Sequence, residues 1–189
     1  AQRKRAEAAV DFADQMAMAA RLASGHPEVV AGERERYGAV LLDEYQDTGH
    51  AQRVLLRALF GIDATGASGG DRPRSFSVTA VGDPAQAIYG WRGASAANLP
   101  RFATDFPRAV AGGLVPAVQY GLLTSFRNPP EVLALANVVS APLRAAGLAV
   151  DELRARDGAG PGDIRVALLP DVTEELAKLA DAIAARWHE

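Results

Sequence analysis

"AVLLDEYQDT", residues Ala39–Thr48, decides how this chain is read. An apolar run, Ala39 to Leu42, goes straight into Asp43-Glu44, and a third acid, Asp47, follows within one helical turn. The run predicts a buried strand that ends in two adjacent carboxylates. In an open α/β sheet, ligands bind beyond the carboxyl ends of the strands. An acid pair there suits a Mg-nucleotide site: the first acid holds the metal through its water shell, and the second orients or deprotonates the attacking water. Mg²⁺ takes hard oxygen ligands, and a bound cation removes the repulsion between neighbouring carboxylates. The plainer reading is that the acids cap a helix at a strand end. The ten residues alone leave both readings open.

Working outward, the elements alternate. Residues 11–23, "DFADQMAMAARLA", put Phe12, Met16, Ala19 and Ala20 on one face and predict an amphipathic helix. The stretch "GHPEVVAGERERYG" reads as a polar lead-in to the strand. A second helix is expected over 50–60, capped by Asp47 or Thr48 and ended by Gly61. Turn-formers fill 61–75, and "FSVTAV" over 76–81 predicts a second strand that ends in Gly82-Asp83. "RAVAGGLVPA" reads as a connector, and a third strand over 118–124 runs into "SFRNPP". A helix over 130–146 should kink or split at Pro142. A strand over 164–169 and a helix over 172–187 complete the pattern, which points to a mostly parallel sheet.

Composition bounds the function. With 49% hydrophobic and 23% charged residues in 189, the chain has the balance of a soluble globular protein of one large or two small domains. No apolar run approaches the roughly 20 residues of a membrane span. The first ten residues do not read as a signal peptide. No cysteine is present, so there is neither a disulfide framework nor a thiolate metal site, which fits a cytosolic protein. His26, His50 and His188 are scattered without metal-ligand spacing. At a net charge of −3 there is no global basic field, so a polyanion would need a local patch or base stacking.

A second cluster supplies such a device: "VGDPAQAIYGWRGA", Val81 to Ala94. Gln86 can donate to a phosphate oxygen or a water, and Arg92 can pair with an acid or a phosphate. Tyr89 and Trp91 offer flat faces to unpaired bases, each stack being worth about 1–3 kcal/mol. Alternatively, these aromatics are core residues and the glycines only shape a turn. The residues by themselves leave this open too.

Taken together, "LLDEYQDT", "VGDPAQAIYGWRGAS" and "SFRNPPEVLALAN" resemble, in order, motifs II, III and IV of the UvrD/Rep/PcrA family of superfamily 1 DNA helicases. "DFADQMAMA" and "RFATDFP" are also similar to family sequence, so the resemblance covers nearly the whole chain. It implies a RecA-like P-loop NTPase fold, α/β with flanking helices, ATP and Mg²⁺ as cofactors, and single-stranded DNA and its junctions with duplex as partners. It further implies 3′ to 5′ movement in repair, replication or recombination, and a place in a bacterial-type cytosol at the nucleoid, with no membrane. By the resemblance, Asp43 coordinates Mg²⁺ and Glu44 is the catalytic base. Gln46 and Asp47 couple that motif to its neighbours. Gln86 senses the γ-phosphate, Tyr89 and Trp91 line the single-strand path, and Arg92 holds the nucleotide-to-DNA linkage through an ion pair. Arg127 is the arginine finger on the second lobe.

The chain departs from the family pattern in places. Ala87 stands where members often carry Ser, and Phe126-Arg127-Asn128 where they carry Tyr-Arg-Ser. Pro100 falls in a helix of the family, which is tolerable if Asn98 caps that helix. More consequentially, no G-x-x-x-x-G-K-[ST] loop occurs; "GIDATGAS" at 61–68 has Ala67 where the lysine must be. The family's later motifs are missing as well. The expectation is an internal piece: the later part of a first lobe over 1–108, a connector over 109–118, and the start of a second lobe over 119–189. Such a piece would bind ATP poorly and depend on the remainder of its chain. Two other classes stay in play: a non-catalytic single-strand-binding module, against which the intact Asp43-Glu44 argues, and the motor of a RecB- or AdnB-type helicase-nuclease. A glycosidase-like carboxylate pair is the outsider, because adjacent acids could hardly flank a sugar bond at about 5–9 Å and no sugar-stacking platform is evident.

Overall fold

The computed structural model describes Lys4, residues 9–62 and residues 76–187. The segment 63–75, most of the expected loop with its phosphate-loop decoy, and His188 lie outside the described residues. The described residues form two compact units: those within 1–123 and 139–152, and those within 124–138 and 153–189. Both are mixed α/β with small sheets.

The first unit opens with helix α1, Phe12–Gly25. Asp11 starts it by a capping box: its Oδ1 accepts the Asp14 N–H at 2.9 Å, and Asp14 Oδ2 accepts the Asp11 N–H at 3.1 Å. Its inner face is carried by Ala20 and Ala23, which are buried, whereas Phe12 is 85% exposed and does not belong to that face. Where a polar lead-in was expected there is a helix, α2, Pro27–Arg36. Its signals are at the ends: Pro27 in the first turn, Glu28 beside it, and Arg34 and Arg36 in the last turn, matching the helix dipole.

Strand β1, Ala39–Leu42, pairs in parallel with β2, Ser77–Ala80. β1 is half-buried on one face only, with Leu41 81% exposed, so the expected fully buried strand is not found among the described residues. Helix α3, His50–Phe60, follows as expected and packs chiefly on α1. Its cap is Gly49, whose N–H donates to Gln52 Oε1 at 2.8 Å, in place of Asp47 or Thr48. Gly61 ends it, with its N–H on Arg57 O at 2.8 Å. Phe60 anchors one apolar cluster, 5.3 Å from Phe76 and 6.0 Å from Tyr37 between ring centres.

Helix α4, Asn98–Asp105, places Pro100 in its first turn, where a missing N–H costs nothing. Ala97, and not Asn98, occupies the cap position. Phe102 of α4 meets Tyr45 edge-on at 5.3 Å and Phe106 at 4.8 Å, which makes a second aromatic core. Within the segment read as a connector, β3, Arg108–Val110, and β4, Gly113–Val115, form an antiparallel hairpin. Gly112 and Gly113 turn it at φ 105° and 145°, values that side chains resist.

In the second unit, β5 is only Thr124–Ser125, paired in parallel with β6, Arg154–Ala155. The strand expected over 118–124 is thus reduced to its end. Asn137 fixes β6 by exchanging both its amide groups with the Leu153 backbone, at 2.8 and 3.0 Å. Helix α5, Pro130–Ala145, whose residues from Val139 on belong to the first unit, runs through Pro142 without a break. The carbonyl that Pro142 leaves without a donor belongs to Val138, a residue 70% exposed, where water can replace it. Residues 164–169 are not a strand: Val166 and Leu168 are 88% and 99% exposed, with no partner strand among the described residues. Helix α6, Val172–Trp187, is capped by Asp171, whose Oδ1 accepts from Thr173 and Glu174 N–H. Among the described residues no helix is long and apolar enough to cross a membrane.

Candidate functional site

At the carboxyl ends of β1 and β2 the ladder continues past the strands. Val81 N–H donates to Leu42 O at 2.8 Å, and Tyr45 N–H to Val81 O at 3.0 Å. The acidic turn and Gly82-Asp83 are therefore held side by side. Between them the backbone is strained: Glu44 adopts φ 50°, ψ 42°, a left-handed conformation costing a non-glycine residue roughly 1–2 kcal/mol. This conformation starts the single 3-10 turn Tyr45–Asp47 and leaves the Asp43 and Glu44 side chains exposed, while Tyr45 and Gln46 are buried beneath.

Gln46, 1% exposed, connects the two strand ends. Its Nε2 donates to Glu44 Oε2 at 2.6 Å, and its Oε1 accepts the Asp83 N–H at 3.2 Å. Asp83 in turn caps the short 3-10 turn Pro84–Gln86, its Oδ1 accepting from Ala85 N–H at 2.9 Å. Its Oδ2 accepts from Gln86 Nε2 at 2.8 Å. An unbroken hydrogen-bond path thus runs from the Glu44 carboxylate to the Gln86 amide. Sequence reading noted Asp83 as a strand-end acid but missed this role; the signal available was Asp before Pro-Ala, a cap pattern.

Asp43 Oδ1 accepts the Glu44 N–H at 2.9 Å. No basic side chain pairs with Asp43 or Glu44 among the described residues. Two exposed, adjacent carboxylates without a counter-charge fit hydrated Mg²⁺, which binds through one or two carboxylates and keeps several waters. Asp47 is half-buried and its Oδ1 has no hydrogen-bond partner among the described residues.

The aromatic pair sits on the next turn. Trp91 is 76% exposed and Tyr89 38%, their ring centres 6.3 Å apart. Neither is a core residue. Arg92 places its guanidinium 4.7 Å from the Trp91 ring centre and 5.4 Å from that of Tyr89. Among the described residues it makes that cation–π contact and no ion pair with an acid, a contact of about 0.5–1 kcal/mol at an exposed site. Gly93, at φ 88°, ends this turn, and Ala94 bridges antiparallel to Gly49.

Burial pushes the Tyr45 phenol up to about 12, with the Asp105 carboxylate adding to the rise and the Arg53 guanidinium opposing it. Arg53 and Asp105 form a two-pronged ion pair, at 2.5 and 2.8 Å, beneath the turn. Hydrogen bonding to Asp105 holds the Arg53 guanidinium above its ordinary value. Arg127 belongs to the second unit, exposed just after β5. The first unit therefore gathers Asp43, Glu44, Gln46, Asp47 and Gln86 at its strand ends, with Tyr89, Trp91 and Arg92 on the adjoining turn.

Residues 1–107 match the family described as UvrD/REP helicase N-terminal domain. The chain is 35% identical, over 99% of its length, to ATP-dependent DNA helicase UvrD1 of Mycobacterium tuberculosis. It is also 35% identical, over 69% of its length, to DNA helicase II of Escherichia coli and to ATP-dependent DNA helicase PcrA of Leuconostoc citreum. The matched region is 23% of the first of these proteins and 15% of the other two, so the chain spans less than a quarter of the length of these relatives. On the match over residues 1–107, this chain belongs to the UvrD/REP helicase family.

Proposed function

We propose that this chain is part of an ATP-dependent DNA helicase or translocase of RecA-like fold, in which Mg-ATP hydrolysis drives movement along single-stranded DNA. The family's relatives bear that name, and the observation that carries the reading here is the hydrogen-bond path from Glu44 through Gln46 and Asp83 to Gln86. Residues within 1–108 would belong to the first lobe and residues within 119–189 to the second, with 109–118 between them. Direction 3′ to 5′ and a task in repair, replication or recombination rest on the family resemblance.

In this reading Asp43 holds hydrated Mg²⁺, which neutralises charge on the ATP phosphates when bound. Glu44, exposed and in hydrogen-bond contact with Gln46, takes the proton of the attacking water. Its left-handed backbone begins the turn that leaves the carboxylate exposed at the strand end. Gln86 contacts the γ-phosphate or its water. A change in its position is felt by Asp83, whose carboxylate it holds, and then by Gln46. Arg127, carried by the second unit, supplies positive charge to the γ-phosphate. Tyr89 and Trp91 stack on unpaired bases, next to the Arg92 guanidinium that contacts both rings.

These 189 residues contain no phosphate-cradling G-x-x-x-x-G-K-[ST] loop, so on their own they turn over little ATP. The test uses the full-length protein: ATP turnover measured with and without single-stranded DNA. Turnover that rises with DNA is expected. DNA binding with no turnover at all would favour a non-catalytic binding module instead.

A further inference from the structure

Helix α4 is pinned at both of its ends to the segment that follows the acidic turn. At its first residue, Asn98, buried to 4% exposure, donates its side-chain amide to Thr48 O at 2.6 Å. At its last residue, Asp105 takes the two-pronged bond from Arg53. Between the Trp91 turn and α4 the chain runs along the same segment. Ala94 bridges to Gly49, Ser95 N–H reaches Thr48 O at 3.4 Å, and Asn98 N–H closes a turn on Ser95 O at 2.9 Å. Thr48 itself donates its N–H to Tyr45 O at 3.1 Å, which completes the turn that carries Gln46.

The two grips differ in what they can transmit. The Arg53–Asp105 pair joins helix to helix and fixes the fold. Asn98 joins the end of the aromatic loop to the carbonyl next to Asp47, one residue beyond the acidic turn. Without its amide, the Ser95 N–H at 3.4 Å is the remaining donor to that carbonyl among the described residues, a weak bond by its length. We propose that Asn98 is a positioning residue that locks the aromatic loop to the acidic turn through Thr48 O, so that DNA held on Tyr89 and Trp91 sets the geometry of Glu44 and Gln46. This route is separate from the Gln86–Asp83–Gln46 path, because it enters the turn from its other end. It rests on the reading of the protein as a DNA-stimulated ATPase.

The test uses the full-length protein as wild type, Asn98→Ala and Asn98→Asp; the first variant removes the donor, and the second replaces it with an acceptor. Basal ATP turnover, its stimulation by an oligo-dT strand, affinity for that strand by fluorescence anisotropy, and melting temperature are measured for each. The expected result is a fall of about tenfold in DNA stimulation, with strand affinity and basal turnover changed less than about twofold. Should Asn98→Asp fail to fold, Asn98→Ala alone decides. Stimulation that survives in the folded variants overturns the proposal, and so does a parallel fall in stimulation, basal turnover and strand affinity, which would mark a merely structural residue. A wild type that binds the strand but hydrolyses no ATP refutes the ATPase reading itself, and the inference with it.

Discussion

Gly82 leaves no room for a side chain against Gln46: a Cβ at Gly82 would lie 2.5 Å from Gln46 Oε1 and 3.3 Å from the Gln46 backbone nitrogen. The close approach of β2's end to the acidic turn is what lets the buried Gln46 amide reach both Glu44 and Asp83. Gly82→Ala should push that amide out of place. The expected cost is about 1–3 kcal/mol in unfolding free energy, the penalty for buried polar groups left without partners. Equilibrium denaturation measures it, and a variant as stable as wild type would show that Gln46 has another place to go.

Arg53 and Asp105 make another buried polar contact of the first unit, with side chains 15% and 5% exposed. Arg53→Ala strands the Asp105 carboxylate and should destabilise by about 3–5 kcal/mol. The paired change Arg53→Met with Asp105→Leu should recover most of that loss, since an apolar pair of similar volume needs no partners. Denaturation of the single and double variants separates the cost of an orphaned charge from the cost of lost packing.

Tyr45 predicts a pH dependence. Its phenol, ordinarily titrating at 10.0, is pushed up to about 12 in the folded chain by burial. A raised value in the folded state means that the neutral phenol is favoured there. Its contribution is whole below pH 10 and is lost as the pH climbs toward 12. Stability should therefore fall across that window, and Tyr45→Phe should flatten the fall. Because the Tyr45 hydroxyl has no hydrogen-bond partner among the described residues, the same variant should be neutral or slightly stabilising at pH 7. A clear loss of stability at neutral pH would mean that the hydroxyl is bonded in solution.

Backbone strain at Glu44 gives a fourth test. At φ 50° a Cβ is disfavoured, so Glu44→Gly should be more stable than Glu44→Ala by about 1 kcal/mol, although both remove the same carboxylate. Equal stabilities would indicate that the turn relaxes once the Gln46 contact is gone.

Much of this was legible in the residues. "AVLLDEYQDT" and "FSVTAV" fixed two parallel strands ending in acids, because apolar runs bounded by polar clusters are short-range signals. Helices α1, α3, α5 and α6 stand close to where the sequence placed them, though Gly49 and not Asp47 or Thr48 caps α3 and Phe12 lies off the buried face of α1. Helix α2 was missed because its apolar residues, Val29, Val30 and Ala31, are adjacent and form no stripe at helical spacing, although its ends carried proline, glutamate and arginines in the right places. The strand over 164–169 failed for the opposite reason: alternating apolar residues suit a strand, but a strand needs a partner, and no local pattern reports one. Ring exposure was equally out of reach, since Tyr89 and Trp91 could be core or surface until the turn placed them outside. Gln46 was visible as a motif residue. That it is buried and joins two strand ends depends on Gly82, 36 positions away in the chain, and contacts at that separation leave no trace in a local pattern.

On the proposed reading Glu44 is the base of a DNA-stimulated ATPase, and ATP turnover by the full-length protein as wild type and as Glu44→Gln, at saturating single-stranded DNA and with nucleotide binding measured in parallel, puts that role to the test. The substitution keeps size and hydrogen-bonding capacity and removes the basic oxygen. Turnover should fall at least about a hundredfold while nucleotide and DNA still bind, as expected for loss of a general base. Wild-type turnover that persists in Glu44→Gln would contradict it, and would mean that the acids closing "AVLLDEYQDT" serve the fold of the turn and not the chemistry.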